Sequence, residues 1–373
     1  MRLRWAIVIG LIVVFLFAGS YYELIKYSEP KILKNKHIPV LLEINKPYQI
    51  TDNPANQDNP IINGNYIVWQ DDRNGNWDIY LFDLKTSSEL QITDNENDQV
   101  TPKLYGDIIV WKDMRNQIGV PKNFPLNYNS DIFYYNISSK QEFQLTTNNQ
   151  AQFAPDIYNK YIIWLDYRAG NVEVYMYNLD TQLESKISKN EKNITLTKIF
   201  KDTIIWRGEE GNRSLLFKYD IEMNQVTKLD LNSSSKMGDF DFNDELFVWS
   251  DVPEQGNNAD IFMYNFKSKI TTQITTNESY QYGPILAGKD ILWTDLRNDP
   301  DGWVYCPCKD LPEEKKFDNW DIYIYDSQST PGIEKQVTNS MDSEVVYDIY
   351  DNLMVFVKTV KYQKNLYIMR FKD

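Results

Sequence analysis

Short stretches of β-branched, aliphatic and aromatic residues recur along this chain from about residue 49 onward, separated by Asn, Asp, Gly and Lys. Apolar and polar positions alternate with a period of two, which predicts strands rather than amphipathic helices. One set of stretches reads Pro60-Ile61-Ile62, Tyr66-Ile67-Val68-Trp69, Asp78-Ile79-Tyr80-Leu81-Phe82 and Glu89-Leu90-Gln91-Ile92-Thr93. Asn63-Gly64 and Asn74-Gly75 punctuate it. Asn-Gly between such stretches predicts tight hairpins in which both central residues take positive φ.

The set repeats. Gln49-Ile50-Thr51 returns as Gln91-Ile92-Thr93, Gln144-Leu145-Thr146, Gln273-Ile274-Thr275 and Gln336-Val337-Thr338, with weaker copies at Lys186-Ile187-Ser188 and Lys228-Leu229-Asp230. The seven starts lie 42, 53, 42, 42, 45 and 63 residues apart. Twenty or 21 residues into each unit stands a large aromatic: Trp69, Trp111, Trp164, Trp206, Trp249, Trp293 and Phe356. Four antiparallel strands in roughly 40–45 residues, repeated this often, predict a β-propeller. A lone blade leaves both sheet faces bare, so the seven aromatics are expected between neighbouring blades. The last unit stops after three strands, and the first Gln-Ile-Thr has no strands before it. Residues 42–51 are therefore expected to supply the outer strand of the last blade, closing a seven-bladed ring and removing its open edges. Six or eight blades are the alternatives.

The pattern Ile-Val-Trp-x-Asp-x-Arg, Asn-Gly-Asn, Asp-Ile-Tyr and Gln-Ile-Thr resembles the TolB-like propeller repeat, in the tandem version of surface proteins from methanogenic archaea and some bacteria. The resemblance covers residues 49–373 and implies a propeller at the cell surface. It says little of TolB's partners, because TolB carries a separate α/β domain ahead of six blades.

Composition narrows the chemistry. The chain has 39 basic and 53 acidic residues, a net charge of -14 and a pI near 4.7, which argues against nucleic acid as a partner. The single histidine, His37, precedes the repeats, so His-based triads and His-rich zinc sites are out of reach of the ring. Arg2 and Arg4 precede an apolar run from Trp5 to Gly19, followed by Ser20. Residues 1–20 thus read as a signal peptide or an uncleaved N-terminal membrane anchor, residues 21–41 as a stalk and 42–373 as the propeller. Either reading exports the chain, secreted or held at the cell surface by residues 5–22.

Repeated positions within one chain act as an internal alignment. Asp71, Asp113, Asp166, Asp251 and Asp295 stand two residues after their Trp, and Arg73, Arg115, Arg168 and Arg297 two further on. Trp, Asp and Arg then share one strand face, where an Asp–Arg pair would hold the hairpin end and bridge to the next blade. Asp78, Asp131, Asp260 and Asp321 open third strands and are expected to accept turn N–H groups. On the inner strands the residue before the apolar anchor runs Ile61, Lys103, Asp156, Lys198, Asp241, Ile285, Asp348. Lys103, Asp156, Lys198 and Asp241 would form a charge-alternating collar around the channel. Insertions near residues 116–130 and 298–320 both interrupt the connection between second and third strands. The second carries Trp303, Tyr305, Phe317 and Trp320, candidates for a binding loop, and Cys306 and Cys308, candidates for a local disulfide.

No metal or cofactor is called for. The leading expectation is a non-enzymatic cell-envelope propeller that binds a protein or glycan. A polysaccharide lyase or glycosidase on the same scaffold is the alternative, since glycosidases need only two carboxylates. A structural surface-layer module is the third reading.

Overall fold

In a computed structural model of the chain, residues 31–35, 42–117, 129–189, 191–210, 213–229, 231, 237–252, 258–299, 319–327, 329 and 332–372 are described. They form seven antiparallel sheets in a ring, a seven-bladed β-propeller. The first blade runs Gln57–Asn63, Tyr66–Asp71, Asp78–Asp83 and Ser88–Gln91 from the inside outward. The seventh has Ser343–Tyr350, Leu353–Val360 and Gln363–Arg370, and its outermost strand is Tyr48–Gln49 from the other end of the chain. Tyr48 pairs with Ile368 and Gln49 with Tyr367. Ile50 N–H then donates to the Leu366 carbonyl at 2.8 Å, and Leu366 N–H donates to Thr51 Oγ1 at 2.9 Å. The ring is closed by its N-terminal strand.

One strand lies outside the four-per-blade pattern. Lys31–Asn35 pairs antiparallel with Ser88–Gln91 and makes the first blade five-stranded. These residues fall in the segment read as a stalk, where the sequence has no period to reveal a strand.

The core is a set of wedges between blades. Val68, Ile79 and Ile92 of blade one meet Leu104, Ile109 and Trp111 of blade two. Ile50, Val355 and Ile368 of blade seven meet Ile62, Ile67 and Trp69 of blade one in the same way. All six repeat tryptophans and Phe356 are at most 1 % exposed. Truncating one such ring to Ala would cost about 3–5 kcal/mol.

The repeated polar residues serve the same architecture. Trp69 Nε1 donates to Asp71 Oδ2 at 3.1 Å, with equivalent bonds at Trp111–Asp113, Trp164–Asp166, Trp249–Asp251 and Trp293–Asp295. Arg115 pairs with Asp113 at 2.7 Å, lies 4.1 Å over the Phe133 ring and reaches Glu142 at 2.7 Å. Glu142 is on the outer strand of the same sheet, as are Glu89, Glu184 and Glu334, the partners of Arg73, Arg168 and Arg297. The arginine therefore ties a blade to its own rim and does not bridge to the next. A guanidinium flat on the third-strand ring is carried outward along its own sheet.

The third-strand aspartates also differ from expectation. Asp78 accepts from Asn74 Nδ2 at 2.9 Å and Thr93 Oγ1 at 3.3 Å, side-chain donors rather than turn N–H groups. Thr93 Oγ1 in turn accepts Ile79 N–H at 2.8 Å, and Gln91 Nε2 donates to the Thr93 carbonyl at 2.8 Å. This network explains why Gln, Ile and Thr recur together: the polar pair pins the end of the outer strand while the aliphatic residue enters the next blade. The inner hairpin also departs from the predicted turn. The turn centres on Gly64 and Asn65, and only Gly64 takes positive φ, at 58°. Gly75 sits in a wider loop, its N–H donating to the Asp72 carbonyl at 3.0 Å.

Candidate functional site: the central channel

The inner strands line the channel, and their period of two splits each into an inward and a wedged set. Leu104, Ile157, Ile199 and Phe242 are buried between blades. Their neighbours Lys103, Asp156, Lys198 and Asp241 face the axis, together with Asp348, Ile61 and Ile285. Two residues further along stand Tyr105, Tyr158, Phe200 and Tyr350, near the turns that join first and second strands. The cavity so bounded has a volume of about 330 Å³.

Each channel aspartate is held by the main chain of the following blade. Asp156 Oδ2 accepts Ile199 N–H at 3.1 Å, Asp241 Oδ2 accepts Leu286 N–H at 2.9 Å and Asp348 Oδ2 accepts Ile62 N–H at 2.9 Å. Of the sequence-predicted collar, Lys198 and Asp241 form an ion pair at 3.1 Å. Lys103 lends its charge to both Asp156 and Asp348. Burial works against the Lys198 ammonium, but the charges of Asp241 and Asp156 outweigh it and raise its pKa. Burial raises Asp156 despite Lys103 and the Ile199 bond. The same effect pushes Asp348 up to about 6, against the Ile62 bond and the charge of Lys103.

Above the collar the aromatics form an arc. Tyr105 and Tyr158 have ring centroids 4.6 Å apart, Tyr158 and Phe200 5.2 Å, and Phe200 meets Phe242 edge-on at 6.3 Å. Burial, aided by Tyr105, pushes the Tyr158 phenol up to about 12. Sequence reasoning passed over this arc and left Asp348 out of the collar. The signal for both was present: the arc is the inner-strand position two residues beyond the collar, on the same face.

The predicted aromatic loop is placed at one point. Trp320 is half-buried, edge-to-face with Tyr280 at 6.4 Å, and its carbonyl accepts Glu344 N–H at 2.7 Å. It packs at the junction of blades six and seven. Trp303, Tyr305, Phe317, Cys306 and Cys308 lie outside the described residues, as do residues 1–30. Among the described residues, no helix is long and apolar enough to cross a membrane, and no cluster of three or more His, Cys, Asp or Glu is placed to hold a metal.

No family model and no curated protein matches the chain. Solved structures do. The β-propeller domain of the Trilobed protease from Pyrococcus furiosus matches at 11% identity and a TM-score of 0.62, over 86% of this chain and 96% of that one. Oligogalacturonate lyase from Vibrio parahaemolyticus matches at 10% identity and 0.58, over 86% and 92%. TolB from Acinetobacter baumannii aligns at 13% identity over 84% and 78%, with a TM-score of 0.45. The likeness is one of fold. At these identities the propeller scaffold is common to proteins of different activity, and function rests on the site.

Proposed function

We propose that the chain is an exported, non-enzymatic binding module of the TolB-like propeller type, taking a protein or glycan partner at the cell envelope. The observation that carries this reading is the state of the carboxylates. Those that recur after the repeat tryptophans and at the start of third strands are bound to Trp, Arg, Asn and Thr, as Asp71 and Asp78 are in the first sheet, and those in the channel accept main-chain N–H bonds. Such groups hold a scaffold together, while the aromatic arc over a 330 Å³ opening offers a surface for recognition. The TolB-like assignment is supported by the repeat pattern, and export by the basic and apolar residues at the N-terminus.

The test is binding without turnover. The full chain is applied to a glycan array and crosslinked to envelope preparations, and is incubated with oligogalacturonate and aryl glycosides. Specific retention with no product supports the reading. Release of an unsaturated uronide or a free aglycone would replace it with the enzymatic alternative.

A further inference from the structure

The channel collar is not balanced. It holds the carboxylates of Asp156, Asp241 and Asp348 against the ammonium groups of Lys103 and Lys198, two positive and three negative charges. Lys198 closes with Asp241 at 3.1 Å and stands beside Asp156, so the surplus lies on the side of blades six, seven and one. There Asp348 is flanked on the neighbouring inner strands by Ile61 and Ile285. On its own strand, Tyr347 donates to Asp58 at 2.5 Å, and Tyr350 lines the cavity. Its partner across the hairpin is Val355, and the charged groups facing it from the other blades are Lys103, Asp156, Lys198 and Asp241.

From this arrangement we infer that the channel is a receptor for one cationic side chain, a guanidinium or ammonium, inserted past the aromatic arc with Asp348 as its counter-charge. The inference deepens the binding-module reading by naming the chemistry of the partner: a peptide or protein that presents a single Arg or Lys. Three features select this ligand. A surplus of one negative charge matches a monocation better than a polyamine or an anion. The rim of Tyr105, Tyr158, Phe200 and Tyr350 suits a cation travelling on a flat or aliphatic stem, because ring faces attract cations. The Asp348 carboxylate accepts N–H bonds from Ile62 and Ile349, and two carboxylate oxygens offer about four lone-pair sites, so acceptor capacity remains. Burial that raises the pKa of Asp348 marks a carboxylate lacking a close counter-ion, which an incoming cation would supply.

The probes are acetyl-arginine methylamide and its neutral isostere acetyl-citrulline methylamide, titrated calorimetrically into the full chain. The arginine probe is expected to bind and the citrulline probe to bind at least tenfold more weakly. A carboxyl group titrating at about 6 loses about tenfold of its ionised fraction between pH 7.5 and 5, and affinity for the arginine probe should fall by about that factor. Asp348→Asn keeps a carbonyl for the Ile62 N–H and should abolish both the affinity and its pH dependence. Lys103→Met removes an opposing charge and should strengthen binding, which no folding defect would do. Equal binding of the two probes, or unchanged affinity in Asp348→Asn, overturns the inference. Because the probes test the channel alone, such a result leaves the glycan-array and crosslinking outcome to judge the binding-module reading separately.

Discussion

Asp348, on the last inner strand, accepts the backbone N–H of Ile62, on the first, at 2.9 Å across 286 residues of sequence. The same joint recurs at Asp156–Ile199 and Asp241–Leu286 between neighbouring blades. A carboxylate near the axis thus fixes the spacing of inner strands that share no ladder. At the rim, the ring is closed by a two-residue pairing and the hydroxyl of Thr51. Closure is a double seam, polar contacts between the first and last blades on the inner side and one strand at the edge.

The outer seam is the more fragile. Thr51→Val keeps the side-chain shape but leaves the buried Leu366 N–H without its acceptor, and should cost about 1–3 kcal/mol. Deleting residues 42–51 removes the whole strand and Ile50 from the wedge between blades seven and one, and should abolish cooperative unfolding. Urea melts followed by tryptophan fluorescence measure both. A deletion that melts like the parent would refute strand closure.

Blade four gives a natural control for the Trp–Asp bond. Gly208 stands where the five other blades with a repeat tryptophan have Asp, and Trp206 Nε1 has no acceptor among the described residues. Trp111 Nε1 donates to Asp113 at 2.9 Å. Both rings are fully buried, so Trp→Phe removes comparable volume at each. Trp111→Phe should cost more than Trp206→Phe by about 1–2 kcal/mol, because only the first loses a bond and the second sheds a buried orphan donor. Equal losses in chemical denaturation would mean that the Asp contact contributes nothing.

Stability should depend on pH in a direction set by Asp348. Its folded pKa, about 6, stands above the ordinary value of 3.8, so between these values the folded state holds more proton than the unfolded one. Stability contributed by this group therefore falls as pH rises from about 4 to 6 and stays low above that. Asp348→Asn removes the ionisation and should stabilise the ring at pH 7.5 by about 1–2 kcal/mol, discounted for contact with channel water. It should also flatten the melting temperature between pH 4 and 7. A variant with the parent's slope would assign the dependence elsewhere, Asp78 being the next candidate, its carboxyl also pushed up to about 6 by burial.

If the chain is exported, Cys306 and Cys308 should be oxidised to each other, and the tryptic peptide containing both should be lighter than its reduced form by the mass of two hydrogen atoms. Peptide mass spectrometry without reduction decides this. Replacing Trp303 and Tyr305 by Ala should leave the melting temperature within about 2 °C of the parent if they belong to a loop outside the wedges. A large drop would make them core residues.

The amino-acid sequence by itself carried the seven repeats, their four-strand units and the closing strand, but not the extra strand Lys31–Asn35. The reason is physical: a repeat that cannot bury its own faces must be stacked, and five Gln-Ile-Thr-like copies, two weaker ones and seven aromatics give seven units to stack. It also placed Lys103, Asp156, Lys198 and Asp241 on the channel axis, since the period of two is local. What the tertiary structure alone decided is which partner each polar group finds. Arg115 turns to the rim Glu142 of its own sheet, Asp78 takes Asn74 and Thr93, and the channel aspartates choose main-chain N–H groups one blade away. Those choices depend on the twist and the angle between blades, which no spacing encodes. The aromatic arc of Tyr105, Tyr158 and Phe200 exists for the same reason: residues 53 and 42 positions apart in sequence meet only because successive blades stack around the axis.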